Sequence, residues 1–297
     1  MTVRLITRAS PLALWQAHYV ADLLRAVPGC PVIEIVPHTT VADVKTEVAL
    51  TALGGKNLFV KELQEAVLQG KADFAVHSVK DLGVVPIPGL LLGAICARED
   101  ARDAYLSKKF LTFGALPEGA CVGTSSPRRA CQLKEKRPDL HIELLRGNVG
   151  TRLAKLDKGQ YDAIILAMAG LIRLGLVSQV THPFSVHEMI PAIGQGAIGI
   201  ECRADDTALQ ALLLHVHDDV TGRCVRAERA FNAYLGGDCF TPLAAHATCE
   251  GTQLHMAAMW GDVSGTPCYR VQVAGSAATP EQVGESAAKE IERLRQS

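Results

Sequence analysis

Gly70 to Asp81, GKADFAVHSVKD, and Gly159 to Gly170, GQYDAIILAMAG, lie 89 positions apart and share one grammar. In both, a glycine stands three residues before an aspartate, and a short apolar run follows. Such a run, bounded by a glycine turn, reads as a strand buried on both faces. Upstream of each stands an amphipathic helix, marked by Phe59, Leu63, Ala66 and Val67 in one copy and by Val149, Leu153 and Leu156 in the other. Helix, glycine stop, aspartate and buried strand, written twice, predict two similar α/β domains.

Working outward, the echo continues. A first strand, Val3 to Thr7, runs through Arg8 and Ala9 into Ser10 and Pro11, then into a helix with Leu12, Trp15, Tyr19 and Leu23 along one stripe. Serine as N-cap and proline at N1 make a helix start, because the cap accepts an orphan amide and proline has no donor to lose. Cys121 to Thr124 repeats the strand and Ser126–Pro127 the cap, with Gln132 six residues past its serine just as Gln16 is. The run Arg98 to Asp103, REDARD, falls between the halves as a hinge or a solvated turn. After Gly222 the pattern changes. A helix over Arg223 to Leu235 stops at Gly236 and Gly237, alternating strands follow near 243–249, 253–260 and 269–274, and a helix begins at Pro280, which together predict a small α+β domain.

Hydrophobic residues make up 48% against 21% charged, enough for a large core, and the formal net charge of −1 gives no global field to attract nucleic acid or an anionic membrane. No stretch reaches the ~20 apolar residues that cross a bilayer, and the N-terminus lacks the apolar core of a secretion signal. A cytoplasmic protein is expected. The nine cysteines are scattered with no CxxC spacing, so no metal site is expected and most read as small buried hydrophobes.

Gly194, Gly196 and Gly199 fit a dinucleotide-binding spacing, but Ala197 to Cys202 behind them reads as a strand, where that motif needs a helix. Gly54, Gly55 and Lys56 lack the spacing of a phosphate-binding loop. His77 to Asp81, HSVKD, ends a buried strand, the edge where open α/β sheets place their ligands. Lys80 and Asp81 there form either an ion pair or working groups, and a Schiff base on Lys80 is a further reading. Arg8, Arg128, Arg129, Arg146 and Arg152 map to the same kind of edge beside the caps Ser10 and Ser126, a pattern suited to several carboxylates. Cys239 follows a glycine-rich helix stop with no histidine beside it, so it suits covalent attachment better than turnover.

On these residues the chain resembles porphobilinogen deaminase over nearly its whole length. The likeness rests on RASPLALWQA, GGKNLFVKEL, DFAVHSVKD, VGTSSPRRACQL, LRGNVGTRLAKL, DAIILAMAGLIRLG, PAIGQGAIGIEC and GGDCFTP, in that order. The resemblance implies two α/β domains like periplasmic solute-binding lobes plus a small C-terminal domain: 1–97 with 197–216, 102–191, and 221–297. It implies a dipyrromethane cofactor in thioether linkage to Cys239 and the head-to-tail joining of four porphobilinogen molecules, with release of ammonia and then of hydroxymethylbilane. Asp81 becomes the catalytic group, stabilising a pyrrole cation in an interdomain cleft. Lys80, Ser126, Arg128, Arg129 and Arg146 become cofactor ligands, and Arg8, Ser10, Lys56, Arg152 and Arg173 substrate ligands. A monomer is implied. Departures from the family pattern stand at Val41 and Ala42, Asn57, Leu82 and Gly83, Pro127 and Asp238. The rivals are a solute-binding protein and a lysine-dependent enzyme.

Overall fold

The computed structural model describes residues 2–39, 58–237 and 241–297. The chain divides into two compact units, Met1–Arg98 with Ala197–Gly222 and Glu99–Gly196 with Arg223–Ser297.

The first unit opens with β1 (Thr2–Arg8), α1 (Pro11–Arg25), β2 (Val32–His38) and α2 (Leu58–Leu68). Then come β3 (Phe74–Ser78), a 3-10 turn at Val79–Asp81, and β4 (Leu90–Ile95). The second unit begins with β5 (Asp103–Leu106), β6 (Cys121–Gly123), α3 (Pro127–Lys136) and β7 (His141–Glu143). It continues with α4 (Val149–Asp157), β8 (Ala163–Ala167), α5 (Met168–Arg173) and β9 (His182–Pro183). The chain then returns to the first unit with β10 (Ile198–Arg203) and α6 (Thr207–Leu213).

The sheets run β2-β1-β3-β10-β4 and β7-β6-β8-β5-β9. In each, the first three strands are parallel and the fourth is antiparallel to both neighbours. The topology is therefore the same twice. The sequence echo also holds residue for residue, since β3 at 74–78 and β8 at 163–167 keep the spacing of 89 and both take third place in their sheets. The fourth strand of each sheet is supplied just after the chain crosses from one unit to the other.

Alternation along the strands explains why the runs are apolar throughout. On one face of the first sheet, Leu5, Phe74, Val76, Ile198 and Ile200 pack with Val20 and Leu24. Ile6 and Ala75 point to the other face and meet Leu63 and Val67 of α2. In the second sheet, Ile164 and Leu166 join Leu153 and Leu156, while Ala163 and Ile165 join Leu133 and Leu140. One detail differs from the sequence reading. The buried stripe of α1 is Gln16, Ala17, Val20, Ala21 and Leu24, while Trp15 and Tyr19 flank it, their rings stacked 5.3 Å apart. Small residues let the helix approach the sheet, and the large rings cover the seam.

Helix α7 (Asp219–Leu235) leads into β11 (Leu243–Glu250), β12 (Gln253–Gly261), β13 (Cys268–Ser276) and α8 (Pro280–Gln296). The three strands form an antiparallel sheet in sequence order. Ala227, Phe231, Ala287 and Ile291 pack against its Ala245, Met256 and Val271. α7 begins four residues before the expected Arg223. The Asp218 carboxylate accepts from the Thr221 amide at 2.7 Å, and Gly222 sits inside the helix because the His217 ring stands 2.7 Å from where its Cβ would be.

Gly284 fixes how closely the two C-terminal helices approach. A Cβ there would overlap the Ala227 carbonyl oxygen and lie 2.9 Å from the Phe231 amide nitrogen. Gly284→Ala is therefore expected to destabilise the protein by about 1–3 kcal/mol despite alanine's better helix propensity. The denaturant midpoint reads this directly, and an unchanged or raised midpoint would contradict the packing.

Candidate active site

In the first unit, β1 and β3 are parallel, so their carboxyl ends share one edge of the sheet. Arg8, half-buried, ends β1. Ser10 caps α1, its hydroxyl accepting from the Ala13 amide at 3.4 Å. β3 ends in the turn that carries Lys80 and Asp81. Val79 is 1% exposed, and its amide donates to the Ala197 carbonyl at 3.0 Å, while the Leu82 amide closes the turn on the Val79 carbonyl. Gln16 adds a bond from its Nε2 to the Ser78 Oγ at 2.8 Å. The turn is thus pinned on either side of its two charged residues. Both are half-buried, and among the described residues no ion pair joins them and no hydrogen bond engages the Asp81 carboxylate.

In the second unit, β6, β7 and β8 are parallel, and the remaining candidates follow their carboxyl ends. Ser126 stands at the N-cap of α3, but its hydroxyl makes no capping bond; its own amide donates to the Thr124 Oγ1 at 3.1 Å. Arg128 and Arg129 are 4% and 6% exposed. They converge on Asp103, which is wholly buried. Arg128 Nη1 donates to Asp103 Oδ2 at 2.7 Å and to the Ile190 carbonyl at 2.7 Å. Arg129 donates to Asp103 Oδ1 through Nε at 3.0 Å and Nη2 at 2.6 Å, and to the Ile165 carbonyl at 2.9 Å. Burial opposes charge on Asp103, yet the two guanidinium groups outweigh it and hold its carboxyl well below the usual range.

Arg146 is half-buried beyond β7, which stops at Glu143 and not at the end of HIELL. Leu144 turns out to solvent, and Tyr161 Oη donates to its carbonyl at 3.0 Å. Arg152 lies in the first turns of α4, whose cap Asn148 accepts from the Thr151 amide, and its Nε donates to the Gly147 carbonyl at 2.7 Å. Arg173, 8% exposed at the end of α5, donates from Nη2 to the Gly196 carbonyl at 2.7 Å. Lys56 and Cys239, with Val41, Ala42, Asn57 and Asp238, lie outside the described residues.

Sequence reasoning missed three buried polar groups. Asp103 belongs to the run expected as a hinge or solvated turn, but it begins β5. Gln195 donates to the Ala101 carbonyl at 2.7 Å and to Asp103 Oδ1 at 3.0 Å. Glu228, wholly buried on α7, accepts from the Gly194 and Ala247 amides at 2.7 and 2.8 Å. A signal existed for Glu228, because it falls on the same helical stripe as Cys224, Ala227 and Phe231. The three glycines that mimic a nucleotide motif serve the backbone: Gly194 and Gly196 have φ of 69° and 88°, and β10 follows, as expected.

Two like sheets with hydroxyl- and arginine-bearing strand edges, followed by a small antiparallel sheet with its helices, define an α/β protein. Two family models then match the chain, Porphobilinogen deaminase, dipyromethane cofactor binding domain, over residues 3–211, and Porphobilinogen deaminase, C-terminal domain, over residues 222–293. The chain belongs to the porphobilinogen deaminase family, whose activity is that of hydroxymethylbilane synthase, a transferase of tetrapyrrole biosynthesis. Among solved structures it is similar to a methionine-binding lipoprotein from Bacillus subtilis, at 12% identity and TM-score 0.47, covering 73% of this chain and 90% of that one. It is also similar to a periplasmic substrate-binding protein of an ABC transporter from Coxiella burnetii, at 17% identity and TM-score 0.47, covering 73% and 92%. The family assignment rests on the two matched domains.

The residues present fit the dipyrromethane group for which the first domain is named. Its carboxylates need donors; among the described residues Arg128 Nε is a buried donor with no acceptor, and the Ser126 hydroxyl at the start of the same helix makes no capping bond. Among the described residues, no helix is long and apolar enough to cross a membrane.

Proposed function

We propose that this chain joins four porphobilinogen molecules head to tail, releasing ammonia at each addition, and frees hydroxymethylbilane by hydrolysis, as a monomer in the cytoplasm. The observation that carries the reading is the two-domain family match together with an Asp81 carboxylate that no hydrogen bond engages among the described residues, at the carboxyl ends of the parallel strands β1 and β3. A dipyrromethane attached at Cys239 would supply a free pyrrole carbon as acceptor, and Lys80, Ser126, Arg128, Arg129 and Arg146 would hold its carboxylates.

Porphobilinogen brings an acetate and a propionate, and loss of its ammonia leaves positive charge on the pyrrole. Asp81 is the group that stabilises this charge, a fixed carboxylate being worth more in a partly dry site than in water. The pinned turn matters because a carboxylate already in place needs no reorganisation during the reaction. Arg8, Ser10, Lys56, Arg152 and Arg173 bind the carboxylates of the incoming unit, each charge-assisted bond worth about 1.5–3 kcal/mol.

Purified protein given porphobilinogen should release one ammonia per molecule consumed and form hydroxymethylbilane. Borohydride added during turnover should leave Lys80 unlabelled. Reversible binding of porphobilinogen without ammonia release would favour a solute-binding protein, and a reduced adduct on Lys80 would favour a Schiff-base enzyme.

A further inference from the structure

Cys131 and Cys268 are adjoining free thiols in the second unit that the proposed reaction does not use. Cys131 is wholly buried on α3, three residues after Arg128; Cys268 is the first residue of β13 and half-exposed. The β12–β13 hairpin meets α3 at two glycines. A Cβ on Gly261 would stand 2.5 Å from the Cys131 Sγ, and one on Gly265 would stand 2.5 Å from the Glu135 amide nitrogen. Gly261 is the ladder residue directly opposite Cys268. The Cys131 sulfur therefore fills the space that a side chain beside Cys268 would take. Cys268 packs against the same small cluster in which Cys131 lies with Ile190, Ala244 and Met259.

The geometry points to Cys131 and Cys268 as a reversible oxidation site, which closes to a disulfide tying α3 to β13 when the protein meets a low-molecular-weight disulfide. The pair divides the work between them. Cys268 is the more exposed, and the neighbouring Cys131 thiol, helped by Arg270, pulls its proton affinity down against burial and Glu135. The Cys268 sulfur and burial push the Cys131 thiol up. Cys268 as thiolate attacks one sulfur of the small disulfide, and one small thiolate leaves. Cys131 then gives its proton to solvent and its sulfur displaces the second small thiolate from Cys268. Two protein thiols lose two electrons, and one small disulfide becomes two thiols. The bond would fasten the helix whose first turn carries Arg128 and Arg129 to the C-terminal sheet.

The test is to incubate the full-length, cofactor-bearing protein with glutathione disulfide, unfold it, alkylate it and map the digest without reduction. The Cys131 and Cys268 peptides should appear joined, with two fewer thiols alkylated than in untreated protein, and dithiothreitol should restore both. The oxidised protein should melt at higher temperature than the reduced one. Cys268→Ser should abolish the link and the rise, whereas Cys131→Ala should stop at a glutathione adduct on Cys268. Full alkylation of both cysteines after treatment would overturn the proposal, as would a persistent glutathione adduct on Cys268 in the unmutated protein.

Discussion

Asp81→Ala is expected to lower kcat by at least about two to three orders of magnitude, the effect of removing one preorganised electrostatic contact, while the protein stays folded and keeps its cofactor. The fold should tolerate the change because the Asp81 side chain has no hydrogen-bond partner among the described residues, and the turn is held through Val79 and Ser78. Asp81→Asn, which keeps the shape and loses the charge, should be impaired to a similar degree. The steady-state split matters as well. A group that acts on developing charge should depress kcat far more than it raises KM. Near-normal turnover in either variant would refute the role given to Asp81.

Asp103→Ala is expected to destabilise the protein by about 3–5 kcal/mol, because it leaves two buried guanidinium groups without their carboxylate. The Arg128 and Arg129 bonds to Asp103 run from 2.6 to 3.0 Å with all three side chains buried. The effect should depend on pH in a definite direction. The folded-state value of Asp103 lies below its unfolded value of about 3.9. Its contribution is therefore present above that value and is lost as pH falls below it toward the folded value. The difference in unfolding free energy between the unmutated protein and Asp103→Asn should shrink as pH drops below about 4. A constant difference, or a loss under about 1 kcal/mol at pH 7, would show that the pair does not hold α3 as described.

Much of the fold was legible because its strands are short, buried on both faces and therefore apolar throughout. The spacing of 89 between Gly70 and Gly159 carried over to β3 and β8 without slippage. Caps were legible in part. Ser10 caps α1 through its hydroxyl, whereas Ser126 holds the same position without that bond, and nothing local distinguishes Ser-Pro in the two places. The partner of Arg128 and Arg129 was not legible, because Asp103 lies 25 residues upstream of Arg128 in a charged run that reads as a hinge. A charge is identified as buried only by what surrounds it in space. In the sequence the two arginines read as carboxylate ligands at a strand edge. Their guanidinium groups are fixed by Asp103, and among the described residues Arg128 Nε stays a donor without an acceptor.

The proposed attachment of the cofactor at Cys239 is the central claim, and the mass of the protein tests it most directly. Intact purified protein should weigh more than the 31.7 kDa of its chain by two substituted pyrrole rings, with the excess on the peptide that contains Cys239. Adding porphobilinogen should then raise the mass stepwise, one pyrrole unit at a time. A protein of unmodified mass that still turns porphobilinogen into hydroxymethylbilane would contradict the account.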